Sequence, residues 1–143
     1  MAAINEAFLY DFIRQHKLCV LATSGLEDHR PEAAVVGFAV TERLEIIFDT
    51  VRSSRKYRNL VTQPRVAVVV GWKHETTVQY EGEAIELDGP EDDGFREAYY
   101  AVYPDGRERA VTWDGLVHFM VRPKWIRYSN FNDPVVIEEL RFS

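Results

Sequence analysis

At 143 residues the chain is long enough for one domain with a real core, and 46% hydrophobic with 28% charged content is ordinary for a globular protein. Acidic residues outnumber basic ones by 23 to 17, a formal net charge of -6, which argues against nucleic acid as the main partner. Cys19 is the single cysteine, so no intrachain disulfide can form, and its place in the apolar run LCVLA points to a buried, inert thiol. The start MAAINEAFLYDF lacks the basic end and long apolar run of a leader, and no stretch reads as a membrane span. The expectation is a single cytoplasmic domain over residues 1–143.

In chain order, Asn5 to His16 reads as an amphipathic helix capped by Asn5, with Phe8, Leu9, Phe12, Ile13 and His16 on one face. Leu18 to Thr23 reads as a strand, SGLEDHRP as a polar turn, and Glu32 to Val40 as a second strand. Glu45 to Thr50 follows a tight turn as the third, with Ile46, Ile47 and Phe48 supplying β-branched and aromatic content. Tyr57, Leu60 and Val61 then predict a short helix, capped by Ser53 or Ser54 and stopped by Pro64. Arg65 to Trp72 is a Val-rich strand. Thr76 to Leu87 is a longer one whose apolar phase breaks at Gly82, predicting a bulge there. Glu91 to Val102 reads as a helix, and DGRERAVTWDG as a loop with some helical potential. Leu116 to Arg122 and Lys124 to Asn130 read as strands either side of Pro123, and the tail DPVVIEELRFS as irregular or one more short strand. The tally is about six strands and three helices, which fits a small antiparallel barrel.

One stretch carries charge in an odd place. Arg52, Arg55, Lys56 and Arg58 crowd the first turn of the short helix, where free backbone N–H groups are already positive. In an acidic chain this cluster is not a by-product of composition. An anion held by those N–H groups, the serine hydroxyls and the basic heads would remove the conflict, and phosphate is the usual one. The bland reading is a solvated basic face. No glycine-rich phosphate loop is present, so side chains would do most of the holding. The four histidines, His16, His29, His74 and His118, show no metal-ligand spacing and no evident axial-ligand context. Glu91, Asp92 and Asp93 suit a helix start better than acid/base work. Trp72 and Trp125 read as core or interface residues, and Trp113, in a polar loop, as a candidate to line a pocket.

The segment FDTVRSSRKYRNLVTQPRVAVVV has a strand ending in Thr, a turn, Ser-Arg-Lys opening a helix with Asn-Leu, and a Pro-Arg-Val strand start. It resembles the pyridoxamine 5'-phosphate oxidase-like FMN-binding split-barrel family, and the likeness extends from LCVLAT to about RPKWIRYSNF. The resemblance implies a mainly β fold, a six-stranded antiparallel split barrel with peripheral helices. It implies a homodimer with FMN in a groove between the barrels. Arg55 and Lys56 would hold the phosphate with Ser54 assisting, and Asp49 and Thr50 would contact the phosphate and ribityl chain. The second strand, Ala34 to Phe38, would run under the flavin ring with backbone contacts from Val35 and Val36, and Thr77 would touch the flavin.

The chain also departs from the vitamin-processing oxidases. They have Gln at the place of Thr77 and Arg at that of Gln79, and basic residues where Ala34 and Ala39 stand. Their C-terminal Trp-Gln-Gly and Arg-Leu-His segment is replaced by YSNFNDP. The implied function is therefore FMN binding with an oxidoreductase activity on an unassigned substrate, as in the family's short, general-stress members. The alternatives are a 5-deazaflavin coenzyme on the same barrel, a haem-handling barrel, and a flavin-binding module without a substrate of its own.

Overall fold

Alternating inward and outward residues build most of this chain into one antiparallel sheet. The computed structural model describes residues 4–143; Met1 to Ala3, the first residues of the stretch read for a leader, lie outside the described residues. The elements are α1 (Glu6–Ile13), β1 (Leu18–Ser24), β2 (Pro31–Gly37), β3 (Ala39–Val40), β4 (Ile46–Val51), α2 (Arg55–Thr62), β5 (Arg65–Val70), β6 (Thr76–Glu86), a 3-10 turn (Pro90–Asp92), α3 (Asp93–Val102), α4 (Gly106–Thr112), β7 (Leu116–Asn130) and β8 (Val136–Arg141). The strand order is β2-β1-β5-β6-β7-β4-β3, with β8 also on β7. The sheet curls into the expected split barrel. Leu21, Phe48, Val68, Tyr80, Phe119 and Ile126 fill its interior, and Leu9 and Ile13 of α1 add to them. A smaller apolar cluster, Ala39, Ile47, Leu87, Tyr99 and Met120, lies on the other face of β4 and β7 under α3.

Among the described residues the strands number eight rather than six. The predicted second strand breaks at Phe38, whose side chain is fully buried and whose N–H donates to the Lys17 carbonyl, so Ala39–Val40 pair with β4 instead. The tail supplies β8. The two strands expected around Pro123 are one continuous β7, for a physical reason. Proline has no N–H to give a ladder. Along one edge β7 pairs with β4 over Leu116–Val121 and with β8 over Trp125–Asn130, so Pro123 falls in the gap between them. On the other edge Gly82 faces Pro123 while Glu81 faces Trp125, leaving Lys124 as the extra residue of a bulge at the predicted place.

The helices hold two corrections. The stretch DGRERAVTWDG, read as a loop with some helical potential, contains a full helix, α4. The face predicted for α2 is rotated, because Leu60 is buried with Asn59 while Val61 stands 57% exposed. Cys19 is buried as expected, and burial pushes its thiol up to about 12.

A side chain at position 82 has no room: a Cβ there would lie 2.4 Å from the Arg122 carbonyl oxygen and 2.9 Å from Val121 Cγ1. Gly82→Ala should lower stability by about 1–3 kcal/mol, the ordinary cost of overpacking, in a urea unfolding curve. An unchanged midpoint would show that the bulge yields freely.

Candidate functional site

The basic cluster sits where β4 hands the chain to α2. Thr50 faces the barrel interior, as Phe48 does, and is nearly buried. Its Oγ1 lies 2.8 Å from Ser54 Oγ, and Ser54 in turn accepts the Tyr57 N–H at 3.1 Å as the N-cap of α2. Thr50 and Ser54 therefore come together at the helix start, with Arg55 and Lys56 following directly.

The four cations are not equivalent. Arg52 pairs with Glu86 at 3.3 Å, and Tyr57 donates its hydroxyl to the same carboxylate at 3.0 Å. Arg55 pairs with Glu32 of β2, its Nε at 3.0 Å and its terminal nitrogen at 2.9 Å from Glu32 Oε1. Asn59, one turn after Arg55 and buried, donates to the same Glu32 oxygen at 2.8 Å and to Thr23 Oγ1 at 2.9 Å. These bonds, Asn59 first and then Arg55, hold the Glu32 carboxyl below the usual range. Lys56 and Arg58 have no ion-pair partner among the described residues. Arg55, Lys56, Glu32, Thr23, Leu21, Ala33 and Ala34 line one cavity of about 210 Å³.

β2 forms a wall of that cavity. It pairs with β1 and ends the sheet order, so among the described residues its other backbone edge has no ladder partner. Val36 packs toward the barrel core, while Val35 points outward and is 62% exposed. Thr77 is not near. It stands on β6, with β1 and β5 between it and β2.

Asp49 is also separated from Thr50, because successive strand residues face opposite sides. It lies under α3 and α4, where Arg109 donates to it at 3.3 Å and to the Tyr99 hydroxyl at 3.2 Å. Burial pushes the Tyr99 hydroxyl well up. Asp49, Arg109, Tyr99, Tyr103 and Trp113 line a second cavity of about 690 Å³, so Trp113, a candidate in the sequence, stands at a pocket. Behind it His118 is 5% exposed, edge-on to Tyr99 and Tyr100, with no partner for Nε2 among the described residues. No group of three or more His, Cys, Asp or Glu among the described residues is placed to hold a metal ion, and no helix is long and apolar enough to cross a membrane.

A family model described as pyridoxamine 5'-phosphate oxidase matches residues 6–130, from α1 to the end of β7. The chain belongs to this family. No curated protein matches it in sequence. Among solved structures it is similar to a heme binding protein from Mycobacterium smegmatis (TM-score 0.81, 15% identity, 99% of this chain and 60% of that one). It is similar to a heme storage protein from Vibrio cholerae (TM-score 0.69, 15% identity, 81% and 87%). A third is a pyridoxamine 5'-phosphate oxidase-related, FMN binding protein from Nostoc punctiforme (TM-score 0.62, 12% identity, 89% and 87%). The chain thus spans 60% of the length of the Mycobacterium smegmatis protein. These likenesses carry the family's fold.

Sequence reasoning missed Glu32, Asn59, Thr23, Arg109 and Tyr99. Asn59 left a trace, since it shares a helix face with Arg55 at i, i+4. The others are set by strand pairing and helix docking, which leave no local mark.

His118 makes the first site prediction. Burial, helped by Arg96 and Arg109 and opposed by Asp49, holds its imidazole below the ordinary value. As pH falls through about 6.5 the unfolded chain takes up a proton that folded His118 refuses, so stability should drop toward acid. Melting curves between about pH 7.5 and 5.5 check this: His118→Phe should flatten the slope, and an unchanged slope would refute it.

Proposed function

We propose that this chain is an FMN-binding flavoprotein of oxidoreductase type, working as a homodimer with the cofactor between the two copies. The observation that carries the reading is the start of α2: a serine cap bonded to Thr50, then Arg55 and Lys56, beside the free edge of β2. This donor set suits a phosphate monoester. Ser54 Oγ is a hydroxyl at a helix N-terminus, and Lys56 brings a cation with no ion-pair partner among the described residues. Family membership and the FMN-binding Nostoc relative point the same way.

In this reading Lys56 and Arg55 hold the phosphate, Ser54 donates its hydroxyl proton to it, and Thr50 fixes the Ser54 rotamer. Backbone groups of Val35 and Val36 meet the ring edge. Bound FMN supplies hydride or electron transfer, and the chain supplies position and electrostatics.

Two facts support a second copy. A cavity of about 210 Å³ is smaller than the roughly 300–1,000 Å³ of ordinary cofactor sites, so one chain offers only part of the wall. The outer face of β2-β1-β5 is also apolar in register. Val35, Val20 and Val69 form one row and Ala33, Ala22 and Ala67 the next. An exposed apolar face of this kind is what an interface needs. Thr77 could then reach a flavin only from the other copy.

The first experiment is the visible spectrum of the purified protein with and without added FMN. A flavin spectrum supports the reading. Binding of the 5-deazaflavin coenzyme in place of FMN would keep the phosphate site and change the cofactor. A Soret band would align the chain with its heme-binding relatives and refute the flavin assignment. Replacing Arg55 and Lys56 together by Ala should weaken FMN binding more than about a hundredfold, since two charge-assisted bonds are lost. Full retention of FMN in that variant would sink the phosphate site. Val35→Lys should shift sedimentation from dimer to monomer, because it places a charge in an apolar row without touching the barrel core; an intact dimer would exclude this face.

A further inference from the structure

We propose that Glu32 sets the chain's selectivity for phosphorylated over unphosphorylated flavin, by competing with the ligand's phosphate for Arg55. The inference rests on the phosphate site proposed above and names a residue of it that the family resemblance does not.

Three observations support it. First, Glu32 Oε1 alone accepts from Arg55 Nε at 3.0 Å, from the Arg55 terminal nitrogen at 2.9 Å and from Asn59 Nδ2 at 2.8 Å. A carboxylate in that seat uses the donors that a phosphate oxygen would use. Second, the seat is built rather than a chance surface contact. Asn59 is 3% exposed, its amide also bonds the buried Thr23 hydroxyl at 2.9 Å, and the Glu32 side chain is 23% exposed. Third, Glu32 and Lys56 line the same cavity, so a phosphate bonded to Lys56 there faces a second anion. Like charges this close repel, and the bonds from Asn59 and Arg55 keep Glu32 ionised at neutral pH.

The groups around it do not reverse this balance. Arg30 lies near enough to act on Glu32, but it pairs with Glu27 at 3.7 Å. Arg52 is taken by Glu86. A ligand phosphate therefore shares Arg55 with Glu32 or displaces it. Either way the phosphate adds less to affinity than the count of cations implies. A riboflavin-like ligand, without the phosphate, is indifferent to Glu32.

The test compares dissociation constants for FMN and riboflavin, by quenching of flavin fluorescence, in the wild-type chain and in Glu32→Gln. Gln keeps the shape and an acceptor for Asn59 while removing the charge. FMN should bind about tenfold more tightly to Glu32→Gln, and riboflavin within about twofold of wild type. Unchanged or weaker FMN binding would overturn the proposal and make Glu32 a support that aims Arg55. A second measurement needs no variant: the Glu32 side-chain carboxyl ¹³C signal of the wild-type protein should move on adding FMN but not on adding riboflavin. A signal indifferent to both would also overturn it. Failure of the underlying reading looks different. Wild type would then bind FMN no better than riboflavin, and Arg55→Ala with Lys56→Ala would change neither constant.

Discussion

The pairing of β6 with β7 is the constraint from which the rest of the fold follows. The two strands stay together from Thr76 to Glu86, across a slip in register at Gly82. That slip needs a residue with no side chain on one strand, and it coincides with a proline on the other. Flanking strands then find their places by default. β5 and β1 extend one side of β6, and β4 and β8 divide the far edge of β7. The hydroxyl of Tyr80, buried beside the slip, donates to the carbonyls of Val121 and Leu44 and ties β6 to β7 and to the turn before β4. Position of the α2 start is thus a consequence of long-range pairing, since β4 delivers it.

Electrostatics at that helix start is more economical than the sequence implies. Four cations at a positive helix end are a local conflict. The fold answers half of it internally, because β2 brings Glu32 to Arg55 and β6 brings Glu86 to Arg52. Lys56 and Arg58 are left as the positive groups with no ion-pair partner among the described residues. The cations left for an anion, as the proposed site requires, are fewer than a count of basic residues implies, and one of them is held by a carboxylate 23 residues upstream.

Much of this was legible in the chain. Periodicity marked α1, α2, α3 and most of the strands, though not β3 as a strand of its own nor β8 as distinct from irregular chain, and the phase break in TTVQYEGEAIEL located the bulge. Asn5 and Ser54 cap their helices as their residue types predict. The misreadings share one cause. Pro123 looked like a strand break because the edge it occupies could not be known, and Phe38 looked like strand interior because its burial comes from packing. Val61 completed an apolar pattern on α2 that tertiary packing gave instead to Asn59. Among the candidate residues, Thr50, Ser54, Arg55 and Lys56 are adjacent in sequence and gather without help. Asp49 falls on the opposite face and Thr77 two strands away, because alternation and strand order act beyond the reach of a local motif.

The divided edge of β7 gives the domain an uneven tolerance to change. β4 and β8 occupy successive lengths of that edge, so no ladder hydrogen bond runs between them. One length is tied to the helix start and its cations; the other carries only β8, whose alternating half-buried pattern asks little of its sequence. Descent can therefore rewrite or extend β8, while β7 itself stays held by β6 and by the buried Ile126 and Tyr128. Two strands that share one edge, β4 and β8, are in this sense free to evolve at different rates.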